Sequence, residues 1–136
     1  MEIDKWGPKA WGFLHASTFA YPDRPSISLQ QKTKEFYELL GDMLPCKKCG
    51  RHWKQQLRVH KVQTESKDAL SRWLVDRHNE INAQNNKRLY SYDEVCEIYD
   101  PDCNRCEVQR PVDWMQLLLW VVLALCVGYG VYKIVR

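Results

Sequence analysis

Residues 44–52 read Leu-Pro-Cys-Lys-Lys-Cys-Gly-Arg-His, and this stretch decides how the rest of the chain is interpreted. Because a proline cannot continue a preceding helix, Pro45 allows a new helix to begin at Cys46. The positive end of a helix lowers the pKa of a nearby thiol, and the cations beside the two cysteines act in the same direction. The resulting thiolate, with a second cysteine at Cys49, suits disulfide exchange. Together with His52, the same cysteines equally suit half of a zinc site.

The balance of charges argues against a nucleic-acid-binding protein. The chain has 136 residues, and residues 1–111 carry 18 Lys and Arg against 16 Asp and Glu. A domain that binds nucleic acid through its phosphates is normally far more basic. The first residues, Met-Glu-Ile-Asp-Lys, contain no hydrophobic signal region, so we expect no secretory targeting from that end.

The hydrophobic pattern predicts an all-α fold, a four-helix bundle plus a short fifth helix. Proline at position 8 marks the expected start of the first helix, and serines at 26 or 28, 66 and 91 are the expected N-caps of later ones. Glu94 completes a capping box with Ser91. No alternating strand pattern of useful length occurs. The first and third predicted helices cover residues 9–20 and 46–59. The second runs from its cap at Ser26 or Ser28 to about residue 44, and the fourth from Ser66 to about residue 82. The fifth is a short segment after Ser91.

The fourth predicted helix carries two stripes of different character. One stripe is apolar and contains Leu70, Leu74 and Ile81, with a tryptophan between them. The other places three polar side chains on one face of the helix, at i, i+3, i+4 and i+7 from Val75, namely His78, Asn79 and Asn82. Polar groups grouped in this way are unusual on the face of a core helix.

The C-terminal part of the chain predicts a membrane anchor. Residues 114–132 are apolar except for one glutamine, and nineteen helical residues span roughly 28 Å, enough to cross the hydrocarbon core of a bilayer. We therefore divide the chain into a domain at 1–100, a loop or linker containing a second Cys-x-x-Cys at 101–112, and a transmembrane helix at 113–135. The expected protein is single-pass and tail-anchored, in a virion membrane or a host intracellular membrane.

Three other classes of protein could use a Cys-x-x-Cys pair. A thioredoxin-like fold requires strands around the motif, and none is predicted. A cysteine protease requires a triad geometry that adjacent His78 and Asn79 on one helix do not provide. A zinc module could combine Cys46 and Cys49 with Cys103 and Cys106, although the two pairs lie unusually far apart in the sequence.

Several motifs together resemble the Erv/ALR family of flavin-dependent sulfhydryl oxidases. The resemblance covers about residues 5–100, and the combination of motifs is much more specific than Cys-x-x-Cys alone. In chain order the motifs are Trp11-x-x-x-His15, Tyr21-Pro22, Pro45-Cys46-x-x-Cys49-x-x-His52, Trp73-Leu74 and His78-Asn79-Glu80-Ile81-Asn82.

The resemblance implies a fold, a cofactor and a reaction. The family fold is a four-helix bundle with a short fifth helix that encloses FAD, usually in a homodimer. The implied activity is a thiol oxidase that forms disulfides in protein substrates and reduces O2 to H2O2. By position, Cys46 would exchange with the substrate and Cys49 would lie against the flavin. The implied flavin-binding residues are Gly7, Trp11, His15, His78, Asn79, Asn82, Lys87 and Tyr99, the last where the family often has tryptophan.

One departure from the family pattern suggests which members are most similar. Animal and yeast members usually have a cysteine shortly after the His-Asn-x-x-Asn motif, in a structural disulfide, and Tyr92 stands at that position here. This difference and the membrane segment make the chain resemble the enzymes of large DNA viruses.

The cysteines near the C-terminal end of the domain leave two interpretations open. Family members often carry a second Cys-x-x-Cys on a flexible arm, so Cys103 and Cys106 could shuttle electrons from the substrate to Cys46. Alternatively they form a structural disulfide, with each other or with Cys96. For the whole protein, the alternative to the oxidase is a zinc-stabilised, membrane-anchored adaptor without catalytic activity.

Overall fold

Within residues 2–100 and Trp120, which are the residues it describes, the computed structural model contains five α-helices and no β-strand. The helices are α1 (Ile3–Phe19), α2 (Ile27–Met43), α3 (Lys47–Val59), α4 (Lys67–Gln84) and α5 (Tyr92–Tyr99). The all-α prediction, with four long helices and a short fifth, is therefore confirmed for this part of the chain.

The first helix begins earlier than predicted. It starts at Ile3, and Pro8 lies inside it instead of at its first turn. Pro8 is the sixth residue of α1, beyond the first four N–H groups that have no partner within a helix, so it removes one hydrogen bond of the first turns. Burial of Gly7, Leu14 and His15 along the same helix favours continuing it through the proline.

The predicted serine caps are confirmed. The hydroxyl of Ser26 accepts a hydrogen bond from the Leu29 N–H, and Ser66 and Ser91 cap α4 and α5 in the same way. At α5 the capping box is complete, because the Glu94 carboxylate also accepts from the Ser91 N–H at 2.8 Å. The hydrogen bond from the Ser91 backbone N–H holds the pKa of Glu94 below its usual value.

Helix α1 packs on α4, and α2 packs on α3. The main core between them is built around aromatic rings, with Tyr37, Trp53 and Trp73 in edge-to-face contacts. The indole N–H of Trp53 donates to the Tyr37 carbonyl oxygen at 2.8 Å, so this polar group is satisfied in the core.

Helix α5 closes one side of the α1–α4 pair through a second, smaller core. Phe19, Val75 and Val95 are buried there. Tyr92 packs on the ring of Phe19, its hydroxyl lies 3.1 Å from the Ser71 hydroxyl, and the Arg72 guanidinium lies 3.9 Å above its ring. At the position where many relatives were expected to carry a cysteine, this chain thus holds α5 to α4 with noncovalent contacts.

The sequence places apolar Leu29, Phe36, Leu39, Leu40 and Met43 on α2 at helical spacing, and of these five only Leu40 packs against the core. Leu29, Phe36, Leu39 and Met43 are all exposed, with Leu39 at 61% and Met43 at 77%, whereas Tyr37 and Gly41 of the same helix are buried. The periodicity correctly indicated a helix, but it did not show which protein surface the apolar face contacts.

Helices α2 and α3 come into direct backbone contact beside Cys46 and Cys49. A Cβ atom added at Gly50 would lie 2.1 Å from the carbonyl oxygen of Gly41, which is far inside van der Waals contact. Only glycine at position 50 therefore permits this approach, and it fixes where α3 begins relative to α2.

The predictions for residues 101–119 and 121–136, namely the linker, the Cys103 and Cys106 pair and the transmembrane helix, lie outside the described residues. No helix in the described part of the chain is long and apolar enough to cross a membrane.

Candidate active site

Cys46 and Cys49 form a disulfide at the N-terminus of α3. Cys46 is the N-cap residue, and its sulfur accepts a hydrogen bond from the Cys49 N–H at 3.2 Å. Both residues are partly exposed. On reduction, the N–H groups and partial positive charge of the helix end would stabilise a thiolate at Cys46, as the sequence predicted.

Trp53 connects this disulfide to the rest of the site. It lies one helical turn after Cys49 and two turns after Cys46, so all three share one side of α3. The Trp53 ring is 6.2 Å from the ring of Trp11, in an edge-on contact. Sequence reasoning did not assign Trp53 to the site, although its i, i+4 spacing from Cys49 could have indicated it.

Four rings from three helices form an aromatic–imidazole cluster consisting of Trp11, His15, His78 and Tyr99. His78 stacks on Trp11 with ring centres 3.9 Å apart and planes 6° apart. Tyr99 stacks on His15 at 5.4 Å. The structure therefore brings together four of the predicted site residues, which the sequence placed on α1, α4 and α5.

The two histidines of this cluster share a hydrogen bond. His15 Nε2 and His78 Nδ1 are 2.9 Å apart. Burial lowers the pKa of His15 from 6.5 to about 4, and the neighbouring His78 adds to the effect. Burial also lowers the pKa of His78 to about 4, with a further contribution from the charge of Lys87. Both imidazoles are therefore neutral at physiological pH.

Asn79 fastens the chain that follows α4. Its amide nitrogen donates to the Tyr90 carbonyl oxygen at 2.7 Å, and its amide oxygen accepts from the Tyr90 N–H at 3.0 Å. This pairing anchors the loop between α4 and α5, and so helps to position Tyr99. The sequence predicted Asn79 as a flavin-binding residue, whereas in the structure its side chain holds the loop between α4 and α5.

The remaining predicted site residues lie around the cluster. Gly7 is buried one turn before Trp11, and a Cβ there would make only an ordinary contact of 3.5 Å with Ile3. Asn82 is buried, and its carbonyl oxygen accepts the Lys87 N–H at 2.8 Å. Through this bond the backbone turn at the end of α4 places Lys87 close enough to His78 to act on its pKa.

The geometry does not favour the zinc interpretation. Within residues 2–100, no three His, Cys, Asp or Glu side chains converge as metal ligands. The sulfurs of Cys46 and Cys49 are bonded to each other, so in this state they are not available as thiolate ligands. Cys96, which is buried in the second core, is also engaged in a disulfide bond.

Comparison with protein families gives one match that covers most of the described chain. The model described as the Erv1/Alr family matches residues 8–100. That range includes the Cys46–Cys49 disulfide and all four rings of the aromatic–imidazole cluster.

Several curated proteins are similar in sequence. The FAD-linked sulfhydryl oxidase ERV1 of Arabidopsis thaliana is 33% identical over 104 residues, which cover 76% of this chain and 52% of that protein. The FAD-linked sulfhydryl oxidase ERV2 of Saccharomyces cerevisiae is 28% identical, covering 76% and 53%. A probable FAD-linked sulfhydryl oxidase of Acanthamoeba polyphaga mimivirus is 28% identical, covering 74% and 72%. Viral relatives thus occur beside cellular ones, and the chain spans about half the length of the first two relatives.

The fold is also found in solved structures. The crystal structure of the FAD binding domain of Erv1 from Saccharomyces cerevisiae superposes with a TM-score of 0.71 at 24% identity, covering 73% of this chain and 94% of that one. The yeast Erv1 core gives a TM-score of 0.70 at 23% identity, covering 73% and 84%. These likenesses show that the helical fold is shared.

Proposed function

Because this chain belongs to the Erv1/Alr family, we propose that it is an FAD-linked thiol oxidase. It converts a pair of thiols in a protein substrate to a disulfide and passes the two electrons and two protons to O2, which becomes H2O2. The observation that carries this proposal is the disulfide at the start of α3, one turn from a tryptophan that contacts the aromatic–imidazole cluster.

The residues of the cluster fit a flat heteroaromatic cofactor. Trp11 and His78 offer planar faces, and His15 Nδ1 is buried without a hydrogen-bond partner within the described residues. A buried polar atom of this kind is normally satisfied by a ligand or by water. Trp11, His15, His78 and Tyr99 would hold the FAD, with Asn82 and Lys87 beside them. When bound, FAD accepts two electrons from the enzyme dithiol and transfers them to O2.

The two cysteines have different tasks in this proposal. A substrate thiolate attacks the sulfur of Cys46, and the Cys46–Cys49 bond breaks as a mixed disulfide forms. The second substrate thiol then attacks that mixed disulfide, which releases oxidised substrate and leaves both enzyme cysteines reduced. Cys49 is assigned to face the FAD because it lies one turn closer to Trp53 than Cys46 does.

Absorption and turnover of the full chain, purified in detergent, test this proposal. We expect a yellow protein with about one FAD per chain that consumes O2 in the presence of dithiothreitol. Cys49→Ser should keep the FAD and lose turnover by at least about 100-fold, since a single thiol cannot supply both electrons. Cys46→Ser should be equally inactive.

The result that would contradict the proposal is equally specific. A colourless protein that contains stoichiometric zinc would support the adaptor instead. Near-normal O2 consumption by either cysteine variant would show that the roles of Cys46 and Cys49 are wrongly assigned.

We propose that Cys103 and Cys106 act as a tethered shuttle, whereas the disulfide bond of Cys96 is the observation that favours the structural alternative. The motif follows α5 directly, and a tether raises its effective concentration near Cys46 to the order of millimolar. Replacing both cysteines with serine should leave oxidation of dithiothreitol unchanged and slow oxidation of a reduced protein by about 10-fold or more. An equal loss with both substrates, with a lower melting temperature, would identify them as structural.

The exposed apolar face of α2 leads us to propose a homodimer. Leu29, Phe36, Leu39 and Met43 recur on one side of the helix and are exposed in the single chain. Contiguous exposed apolar surface of this kind is typical of interaction sites, and the cores of homodimer interfaces are apolar.

A further inference from the structure

Helix α3 has an unusual distribution of charge. It contains five Lys and Arg residues and no Asp or Glu, although the chain as a whole carries a formal charge of only +3. Four of the five recur at i, i+4, i+7 and i+11, which places them along one side of the helix. We call this set the cationic stripe; its members are Lys47, Arg51, Lys54 and Arg58.

The charges of the stripe are mostly available to a partner. All four side chains belong to exposed residues. Within residues 2–100, only Lys54 has an ion-pair partner, the carboxylate of Asp42. The other three make no ion pair there. On a purely solvated helix, acidic residues normally alternate with basic ones and offset the mutual repulsion, and α3 lacks them.

A cleft between the end of α2 and the start of α3 lies against the stripe. It has a volume of about 200 Å³, and its lining includes Lys47, Arg51 and Lys54 together with the carboxylate of Asp42, which pairs with Lys54. Gly41 and Gly50 also line it, and a Cβ at either glycine would collide with neighbouring atoms. The backbone contact that positions Cys46 thus also shapes a cationic cleft beside it.

We propose that the cationic stripe and this cleft dock an acidic segment of the dithiol protein that the enzyme oxidises. This inference rests on the proposed function and adds the chemical class of its substrate. Carboxylates of the substrate would pair with Lys47, Arg51 and Arg58, and would compete with Asp42 for Lys54, while a substrate thiol approaches Cys46. The complementary charges raise the association rate and set the direction in which the substrate lies.

The length of the stripe predicts the spacing of the acidic residues. Arg58 lies twelve residues after Cys46, which corresponds to about 18 Å along a helix. An extended chain advances about 3.3–3.6 Å per residue, so Arg58 reaches the fifth residue from a cysteine held at Cys46. We therefore expect Asp or Glu within about five residues of the substrate cysteines.

The position of the stripe favours a protein substrate over an anionic membrane or nucleic acid. It begins between the two cysteines and follows the edge of the cleft, instead of spreading over a broad surface. A partner that binds there lies beside the helix end that carries the disulfide, and of these three classes only a dithiol protein has a chemical reason to do so.

Steady-state oxidation of synthetic dithiol peptides by the full-length enzyme tests the inference. The peptides share one Cys-x-x-Cys core and differ only in five flanking residues, which are Glu, Ser or Lys. We expect the wild-type KM to be about 10-fold lower for the Glu peptide than for the Lys peptide. Each exposed ion pair contributes little to binding, but several of them act together along the stripe. Raising the salt concentration to about 0.5 M should remove most of the difference.

A matched pair of variants locates the effect. Lys54→Gln/Arg58→Gln removes the two stripe cations that are farthest from the cysteines, and should raise KM for the Glu peptide about 5-fold with no change for dithiothreitol. Lys9→Gln/Arg24→Gln removes one exposed lysine and one exposed arginine elsewhere, and should change neither value.

The outcomes separate this inference from the proposed function. An enzyme that oxidises all three peptides equally well, or whose stripe variant slows all three by the same factor, overturns the inference and leaves the oxidase intact. Loss of the Glu preference in the control variant as well would also overturn it, because bulk charge would then be responsible. An enzyme that oxidises no dithiol at all contradicts the proposed function itself.

Discussion

His15 and His78 are held neutral by their surroundings, and this makes the site sensitive to acid. Their pKa values in the folded protein are about 4, below the 6.5 of an exposed histidine. Between pH 6.5 and 4 the unfolded chain therefore binds more protons than the folded one. The free energy of unfolding is highest above pH 6.5 and falls as the pH is lowered towards 4.

Thermal unfolding measures this dependence directly. We expect the melting temperature of the full chain to drop by several degrees between pH 7 and pH 5, corresponding to about 1 kcal/mol after allowance for the partial exposure of His78. His15→Gln should reduce the slope of the melting temperature against pH. Gln31→Ala, which changes an exposed residue without an ionisable group, should leave the slope unchanged. A wild-type profile that is flat over this range would show that the pair is not buried as described.

Sequence predicted which residues meet at the site better than it predicted what each one does. The i, i+3, i+4 and i+7 spacing places His78 and Asn82 on one face, and the structure brings His78 against Trp11. The pairing of Asn79 with the backbone of Tyr90 depends on how the loop between α4 and α5 returns, and helix periodicity contains no information about that loop.

At the scale of helices, the contact between α2 and α3 depends on a missing side chain. Gly50→Ala should lower the free energy of unfolding by about 2 kcal/mol, because the added methyl group collides with the backbone of Gly41 and separates the helices. Gly12→Ala is the matched control, since its Cβ would meet the Tyr99 hydroxyl at an ordinary 3.6 Å. The control should be neutral or stabilising by up to about 1 kcal/mol, through its higher helix propensity.

Urea denaturation of the two variants distinguishes these expectations. Equal stability of Gly50→Ala and wild type would mean that α2 and α3 approach each other less closely than the structure shows.

The sequence predicted a helix end correctly where a side chain caps the helix. It predicted the end poorly where packing against other helices decides how far the helix extends. Ser26, Ser66 and Ser91 cap through their own hydroxyl groups, so their positions are encoded locally. The start of α1 is not encoded locally, because the helix continues through Pro8 only with the packing of α4 and α5 against it. The hydrogen bond that Pro8 removes is a local cost, and the packing of α1 on α4 and α5 outweighs it.

For the whole molecule, the exposed face of α2 predicts a dimer at micromolar concentration. Leu39→Glu/Met43→Glu should shift sedimentation of the full chain in detergent from dimer to monomer, since burying two carboxylates in an apolar interface is strongly unfavourable. Ile98→Glu changes an exposed apolar residue on α5 and should leave the dimer intact. A wild-type protein that sediments as a monomer would contradict the proposal.

The His15–His78 hydrogen bond has a consequence for the two imidazole nitrogens that do not take part in it. A neutral imidazole carries one hydrogen, and the short contact between His15 Nε2 and His78 Nδ1 has room for only one. If His15 supplies that hydrogen, His15 Nδ1 is an acceptor and His78 Nε2 a donor. If His78 supplies it, both assignments reverse. The two outer nitrogens therefore always have opposite polarity, and a ligand that fixes the tautomer of one ring also fixes that of the other.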